Sequence, residues 1–243
     1  MKPEGDYVTV ADASDQLGVN QQRVRALLAG GDLSGRRIGR VWFIDPNSLA
    51  DYRHVRQPGA GRALASATAW AALLTSFASD ATDDVVAAFS IVGERRARIR
   101  ALRSRDPDDW RWLARRRATV RRYDTRTAYL RRLRSEDDTI PAGVSAGVRH
   151  GLAVADEGFD AYIDPSQAAR LTEQYRLRPD GGGSVTLRTI NLSETEQLAV
   201  IHRRALPELV TAVDLCEDRD PRTAAAGRRL LVDLVGAAGP TTA

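Results

Sequence analysis

The chain has 243 residues, 43% of them hydrophobic, enough for a small domain plus one or two more with their own cores, so it reads as globular and not disordered. Its 36 basic and 32 acidic residues leave a net charge of +4, and because Lys2 is the only lysine, a phosphate-loop lysine, a Schiff base and the lysine of a restriction-type nuclease core are excluded. No run of 18 apolar residues exists, MKPEGDYVTV lacks the basic head and apolar stretch of a signal peptide, and the single Cys216 rules out an internal disulfide or cysteine-based zinc site; a cytoplasmic protein with no membrane contact is expected.

Along the chain, Val10, Ala13, Ser14 and Leu17 recur at helical spacing, Gly18 breaks the pattern, and Asn20 can cap a second helix with Val24, Leu27 and Leu28 on its apolar side. Gln21, Gln22 and Arg25 fall away from that stripe with Arg23 on its flank, and no acid occurs between Val19 and Gly31. Glutamine and arginine suit the edges of adenine and guanine, so this helix is expected to enter a DNA major groove. Past Gly30-Gly31, Arg36, Arg37 and Arg40 crowd a hairpin pinned by Gly39, where guanidinium groups can reach phosphate or a minor groove. Trp42 and Ile44 alternate with Phe43 and are expected in the core, and Asp45-Pro46 begins a third helix through Leu49 and Tyr52. The expected DNA-contacting set is Asn20, Gln21, Gln22, Arg23, Arg25, Arg36, Arg37 and Arg40.

The runs TVADASDQLGV, NQQRVRALLAGGDL, RRIGRVWFID and PNSLADY resemble, in that order, the excisionase and MerR-like class of winged helix-turn-helix domains. That resemblance implies sequence-specific binding of double-stranded DNA, usually through paired half-sites. The start of the second helix, Asn-Gln-Gln-Arg, departs from the Ser-Arg or Ser-Pro common in the class, so no operator sequence is implied.

The Pro and Gly of RHVRQPGAGRALAS mark a boundary, giving a first domain at 1–56, a linker at 57–66 and a second region at 67–243. Gly59-Ala-Gly61 is no nucleotide loop, because Leu64 replaces the third glycine and no strand leads in. Helices are expected from Leu64 to Phe77, from Asp80 or Thr82 through Phe89, from Gly93 to Arg103, and from Asp108 to Arg117. Next come a strand at Thr119–Tyr123, a helix at Thr127–Ser135, extended pieces near Ile140 and Phe159–Ile163, and a helix from Asp164-Pro165 through Tyr175. YRLRPDGGGSVTLRTI is expected to be a glycine-turned hairpin with Val185, Leu187 and Thr189 on one face, and Ser193, Glu196, Pro207 and Pro221 mark an all-helical end at 194–236. The fold class is therefore α+β, mainly α: a winged helix-turn-helix, a helical segment and a mixed α/β carboxy-terminal domain.

Charge is polarised along the second region. Arg95–Arg134 holds sixteen arginines against four acids, while Ser135–Asp160 holds six acids and one arginine. The basic stretch could meet DNA, an acidic partner or only solvent and the neighbouring acids. His54, His150 and His202 are far apart, Asp160, Asp164, Asp218 and Asp220 read as caps before a metal cluster, and Gly182-Gly183-Ser184 lacks the Asp-x-Asp of a nucleotidyltransferase. Binding and not catalysis is expected, with no cofactor and no metal.

Residues 110–236 resemble the carboxy-terminal half of AbiE-type antitoxins, through WLARRRATVRRY, IPAGVSAGVRHGL, FDAYIDPSQAARLTEQYRLRPDGGGSVTLRTI and LPELVTAVDLCEDRDPRTAAAGRRLL. The resemblance implies an autorepressing antitoxin with a nucleotidyltransferase-like toxin as partner and a possible homo-oligomer. Two other readings stay open: an excisionase-like factor that bends recombination-site DNA, and a DNA-binding head on a ligand-sensing or enzymatic domain.

Overall fold

A computed structural model of the chain describes residues 7–29, 32–56, 61–75, 94–102, 105–149, 158–180, 183–191 and 206–237. Contacts divide it into two units, Met1–Arg56 and Gln57–Ala243, and the whole is a mixed α and β structure in which helix predominates.

In the first unit, β1 (Val8–Thr9) leads into α1 (Val10–Leu17), which Thr9 starts as a capping box with Asp12. The hydroxyl of Thr9 accepts the Asp12 backbone N–H while the Asp12 carboxylate accepts that of Thr9, satisfying two donors a helix start leaves open. Gly18, at φ +62°, closes α1 and turns the chain toward α2 (Gln21–Ala29), whose first turn is capped by Asn20. Strands β2 (Gly35–Ile38) and β3 (Val41–Ile44) form a hairpin, β1 pairs with the other edge of β3, and α3 (Pro46–Val55) closes the unit. Ala13, Leu17, Val24, Leu27, Leu28, Leu33, Ile44, Leu49 and Tyr52 make the core, and Arg56 donates to the Leu17 carbonyl at 2.8 Å, fastening the end of α1. This short core matches the apolar spacing of the three helices.

The second unit begins with α4 (Ser66–Thr75) and α5 (Glu94–Ala101), then α6 (Pro107–Leu113) and a 3-10 turn, Arg115–Arg117. Its sheet contains β4 (Thr119–Asp124), β5 (Ile140–Pro141), β6 (Phe159–Ile163), β7 (Arg178–Pro179) and β8 (Val185–Thr189), in the order β5-β6-β8-β4-β7. Only the central pair, β6 with β8, is parallel among the pairings described. One face carries Tyr123, Phe159, Ala161, Ile163, Val185 and Leu187 against α7 (Thr127–Leu133) and α9 (Pro165–Gln174). The opposite face carries Asp160, Tyr162 and Arg188 toward α8 (Gly143–Arg149) and α10 (Glu208–Cys216), onto which α11 (Pro221–Ala237) packs. Sheets covered on both faces bury every side chain of their central strands, and all five residues of β6 are buried.

Several expectations change. The segment YRLRPDGGGSVTLRTI is not a hairpin: β7 and β8 flank β4 on opposite sides. Pro179 has no N–H to give to a ladder and so suits an edge, whereas the apolar β8 takes the centre. Gly183 lies against the end of β4, where an added Cβ would stand 2.0 Å from the Tyr123 carbonyl oxygen. The expected helix Asp108–Arg117 ends at Leu113 and tightens into the 3-10 turn. Within the expected linker 57–66, Leu64 donates to the Leu113 carbonyl at 2.9 Å and the Trp112 indole donates to the Gly61 carbonyl at 2.7 Å, so residues 61–66 belong to the second unit. The expected helix from Asp80 or Thr82, the capping pair Ser193 and Glu196, and His150 and His202 lie outside the described residues.

Candidate nucleic-acid interface

On α2, Val24, Leu27 and Leu28 are buried, and Gln21, Gln22, Arg23 and Arg25 are exposed. The exposure follows from 3.6-residue periodicity with apolar residues on one side only. Asn20 keeps an exposed position, but its Oδ1 accepts the Arg23 backbone N–H at 2.8 Å, so its oxygen is spent on the cap. Arg25 Nη2 donates to Gln21 Oε1 at 3.2 Å, one turn away along the helix. No carboxylate partners Arg23 or Arg25 among the described residues, which leaves a polar surface of positive sign.

The hairpin separates its arginines by face. Register pairs Arg36 with Phe43 and Arg37 with Trp42, so the two arginines point to opposite sides of the sheet. Arg37 shares its side with Ile44, which is fully buried, and with Gly35, where an added Cβ would stand 3.1 Å from Leu28 of α2. Arg36 projects from the other side, with its guanidinium 4.6 Å from the centre of the Tyr7 ring, itself edge-on to Phe43. Gly39, at φ +60°, makes the tight turn, with Arg40 exposed beside it. Trp42, expected in the core, is only half-buried, because it sits nearer the hairpin tip than Ile44.

A second set of functional-looking residues is sealed inside the second unit. Arg117, at 1% exposure, donates Nε to Tyr162 Oη at 2.8 Å, Nη1 to the Ala114 carbonyl at 3.1 Å and to Glu217 Oε1 at 2.7 Å, and Nη2 to Glu217 Oε2 at 2.8 Å and to Asp214 Oδ1. Arg188 grips Asp160 with two bonds, 2.8 and 2.9 Å, donates to Glu217, and reaches the Asp214 carbonyl at 3.2 Å. Tyr162 donates to Asp214 Oδ1 at 2.6 Å, and the Gly143 backbone N–H donates to Asp214 Oδ2 at 3.3 Å. Burial works against the charge of both guanidinium groups, yet the surrounding carboxylates hold them well above their ordinary range. Burial pushes the Asp160 carboxyl up to about 6 against the pull of Arg188, whereas at Glu217 the same burial is overcome by Arg117 and Arg188, which bring it down to about 2. This network welds the 3-10 turn, the two central strands and α10 together, and all five N–H groups of Arg117 are used.

Of the acids expected as caps, Asp160 is instead held by Arg188 in the buried network, whereas Asp164 and Asp220 do cap helices. Asp164 starts α9 as a capping box with Gln167, and Asp220 accepts the Thr223 backbone N–H at 2.9 Å at the start of α11. Among the described residues no group of three or more His, Cys, Asp or Glu is placed to hold a metal ion. Of the basic stretch, Arg117 turns inward, and the acids beyond it pair elsewhere: Glu136 and Asp138 take Arg170 at 3.2 and 2.7 Å. Arg126, Arg131, Arg132 and Arg134 remain exposed on and beside α7. Cys216 is buried, and burial pushes its thiol up to about 12, which leaves it without thiolate chemistry. No helix among the described residues is long and apolar enough to cross a membrane. Compared with protein-family models, curated proteins and solved structures, the chain matches none.

Proposed function

We propose that this chain is a sequence-specific regulator that binds double-stranded DNA through its first unit, a winged helix-turn-helix with α2 as recognition helix and the β2–β3 hairpin as wing. The observation carrying this reading is the outer surface of α2, where two glutamines and two arginines are exposed without an acid on the helix, on a scaffold whose opposite side holds the core. Gln and Arg are the side chains that match adenine and guanine edges in two-pronged fashion, and a lone solvated face has no need of that choice. The second unit supplies either pairing between copies or a protein partner, since one recognition helix gives few contacts and tight operator binding needs two half-sites or added surface. Its resemblance to AbiE-type antitoxins supports an autorepressing antitoxin that also holds a nucleotidyltransferase-like toxin, to be tested by co-purification with the product of an adjacent reading frame.

The test of DNA binding is a selection of duplex sites by the full chain, followed by titration of Arg25→Ala on the selected site and on random duplex. A loss of about 1–3 kcal/mol confined to the selected site is expected. Equal losses on both duplexes would show that Arg25 touches only phosphate, and the absence of any selected site would end the reading.

A further inference from the structure

We infer that Gln21 acts through Arg25 while Gln22 reads a base directly, so that the bound half-site carries a guanine and an adenine on neighbouring base pairs; this rests on the DNA-binding reading above. Two-pronged recognition of adenine uses both ends of a glutamine amide, the oxygen accepting from N6 and the nitrogen donating to N7. At Gln21 the oxygen is engaged, accepting from Arg25 Nη2 at 3.2 Å. Gln22 is exposed, and nothing among the described residues bonds its amide, so both ends stay available.

For Arg25 the same bond is an asset. A guanidinium has five N–H groups, and spending one on Gln21 leaves enough of the fork to grip guanine O6 and N7. A long arginine stem loses rotamer freedom when it binds, and a neighbour that already restricts it lowers that loss. Gln21 is therefore a positioning residue and Arg25 the one that touches the base. Gln22 and Arg25 are three residues apart, about 4.5 Å along the axis, against a base step of about 3.4 Å, which puts their targets on adjacent pairs.

The experiment uses the full-length chain and its selected duplex, with each base pair varied in turn, and compares Gln21→Ala, Gln22→Ala, Arg25→Ala, the double variant Gln21→Ala/Arg25→Ala, and Gln21→Glu. Arg25→Ala should flatten discrimination at one G·C pair by roughly 5- to 150-fold, and Gln21→Ala should weaken discrimination at that same pair by less. The double variant should be no worse than Arg25→Ala alone, Gln22→Ala should flatten the adjacent A·T pair, and Gln21→Glu, which still holds Arg25, should keep the guanine preference. A loss in Gln21→Ala at a base pair of its own, or one that adds to the Arg25→Ala loss, would overturn the inference and leave DNA binding intact. A wild-type chain without sequence preference would remove both, and that result is seen before any variant is made.

Discussion

The two units put the same side chain to opposite uses. In the first, Arg23, Arg25, Arg37 and Arg40 stand exposed without a carboxylate partner among the described residues; in the second, Arg117 and Arg188 are withdrawn from water and surrounded by Asp160, Asp214 and Glu217. A solvated guanidinium with no internal carboxylate is free to meet an anion from outside. A desolvated one must be satisfied from within, because an unpaired buried charge is among the costliest things a fold can hold. Arginine count alone therefore says little about nucleic acid, and the placement of each arginine says much.

The largest effect is expected at Arg117. Replacing it by Ala strands the Asp214 and Glu217 carboxylates in a sealed core, so unfolding of the second unit should become easier by about 3–5 kcal/mol. Arg25→Ala should change stability by no more than about 0.5 kcal/mol. Urea unfolding followed by tryptophan emission checks this, since Trp70, Trp110 and Trp112 lie in the second unit and Trp70 and Trp110 are fully buried. If Arg117→Ala unfolded at the wild-type midpoint, the network would hold nothing together.

Acidity sharpens the contrast with a smaller effect. Asp160 titrates higher in the folded protein, about 6, than in an unfolded chain near 3.8, so its folded state binds the proton more tightly and stability from this group is lost as pH rises through 4 to 6. Glu217 goes the other way, about 2 when folded against 4.5 when unfolded, so its contribution is lost as pH falls from 4.5 toward 2. The groups facing Asp160 are Arg188 on β8, Arg122 on β4 and Asp214 on α10. The thermal midpoint of the second unit should therefore peak where the two windows meet, at about pH 4, and Asp160→Asn should remove the decline on the neutral side. A decline of unchanged size in that variant would assign it to another group.

What the sequence disclosed, and what it hid, divides by range. The cap at Asn20, the turns at Gly18 and Gly39 and the caps at Asp164 and Asp220 depend on residues close in the chain, and each is local chemistry read directly from the sequence. The pairing of β7 with β4 depends on which strands compete for the centre of a sheet, and a glycine-rich link between two short strands does not decide that. Arg117 meets Glu217 across 100 residues, so charge counted along the chain placed Arg117 on a positive surface. One signal was present: Asp214 and Glu217 stand three apart where the mostly apolar ELVTAVDLC helix ends, and Arg188 interrupts a strand whose first four residues are buried. Acids on a helix with no polar face ask for buried cations.

Within the hairpin three arginines are all exposed but not equally placed. Arg37 and Arg40 have no partner among the described residues, whereas Arg36 rests on the Tyr7 ring on the side of the sheet turned away from Ile44 and α2. If the wing meets the same duplex as α2, phosphates should be met by Arg37 and Arg40, and Arg36 should serve to pin β1 to the hairpin. Salt titration of binding distinguishes these roles, because each phosphate contact adds about 0.9 to the slope of log affinity against log salt. Arg37→Ala and Arg40→Ala should each lower that slope by about one, weakening every duplex alike. Arg36→Ala should leave it unchanged while slightly loosening the first unit, by no more than about 1 kcal/mol for an exposed cation over a ring. Should Arg36→Ala lower the slope as much as Arg40→Ala does, the outer face of the hairpin touches DNA as well, and the division of faces drawn from the β2–β3 register carries no functional meaning.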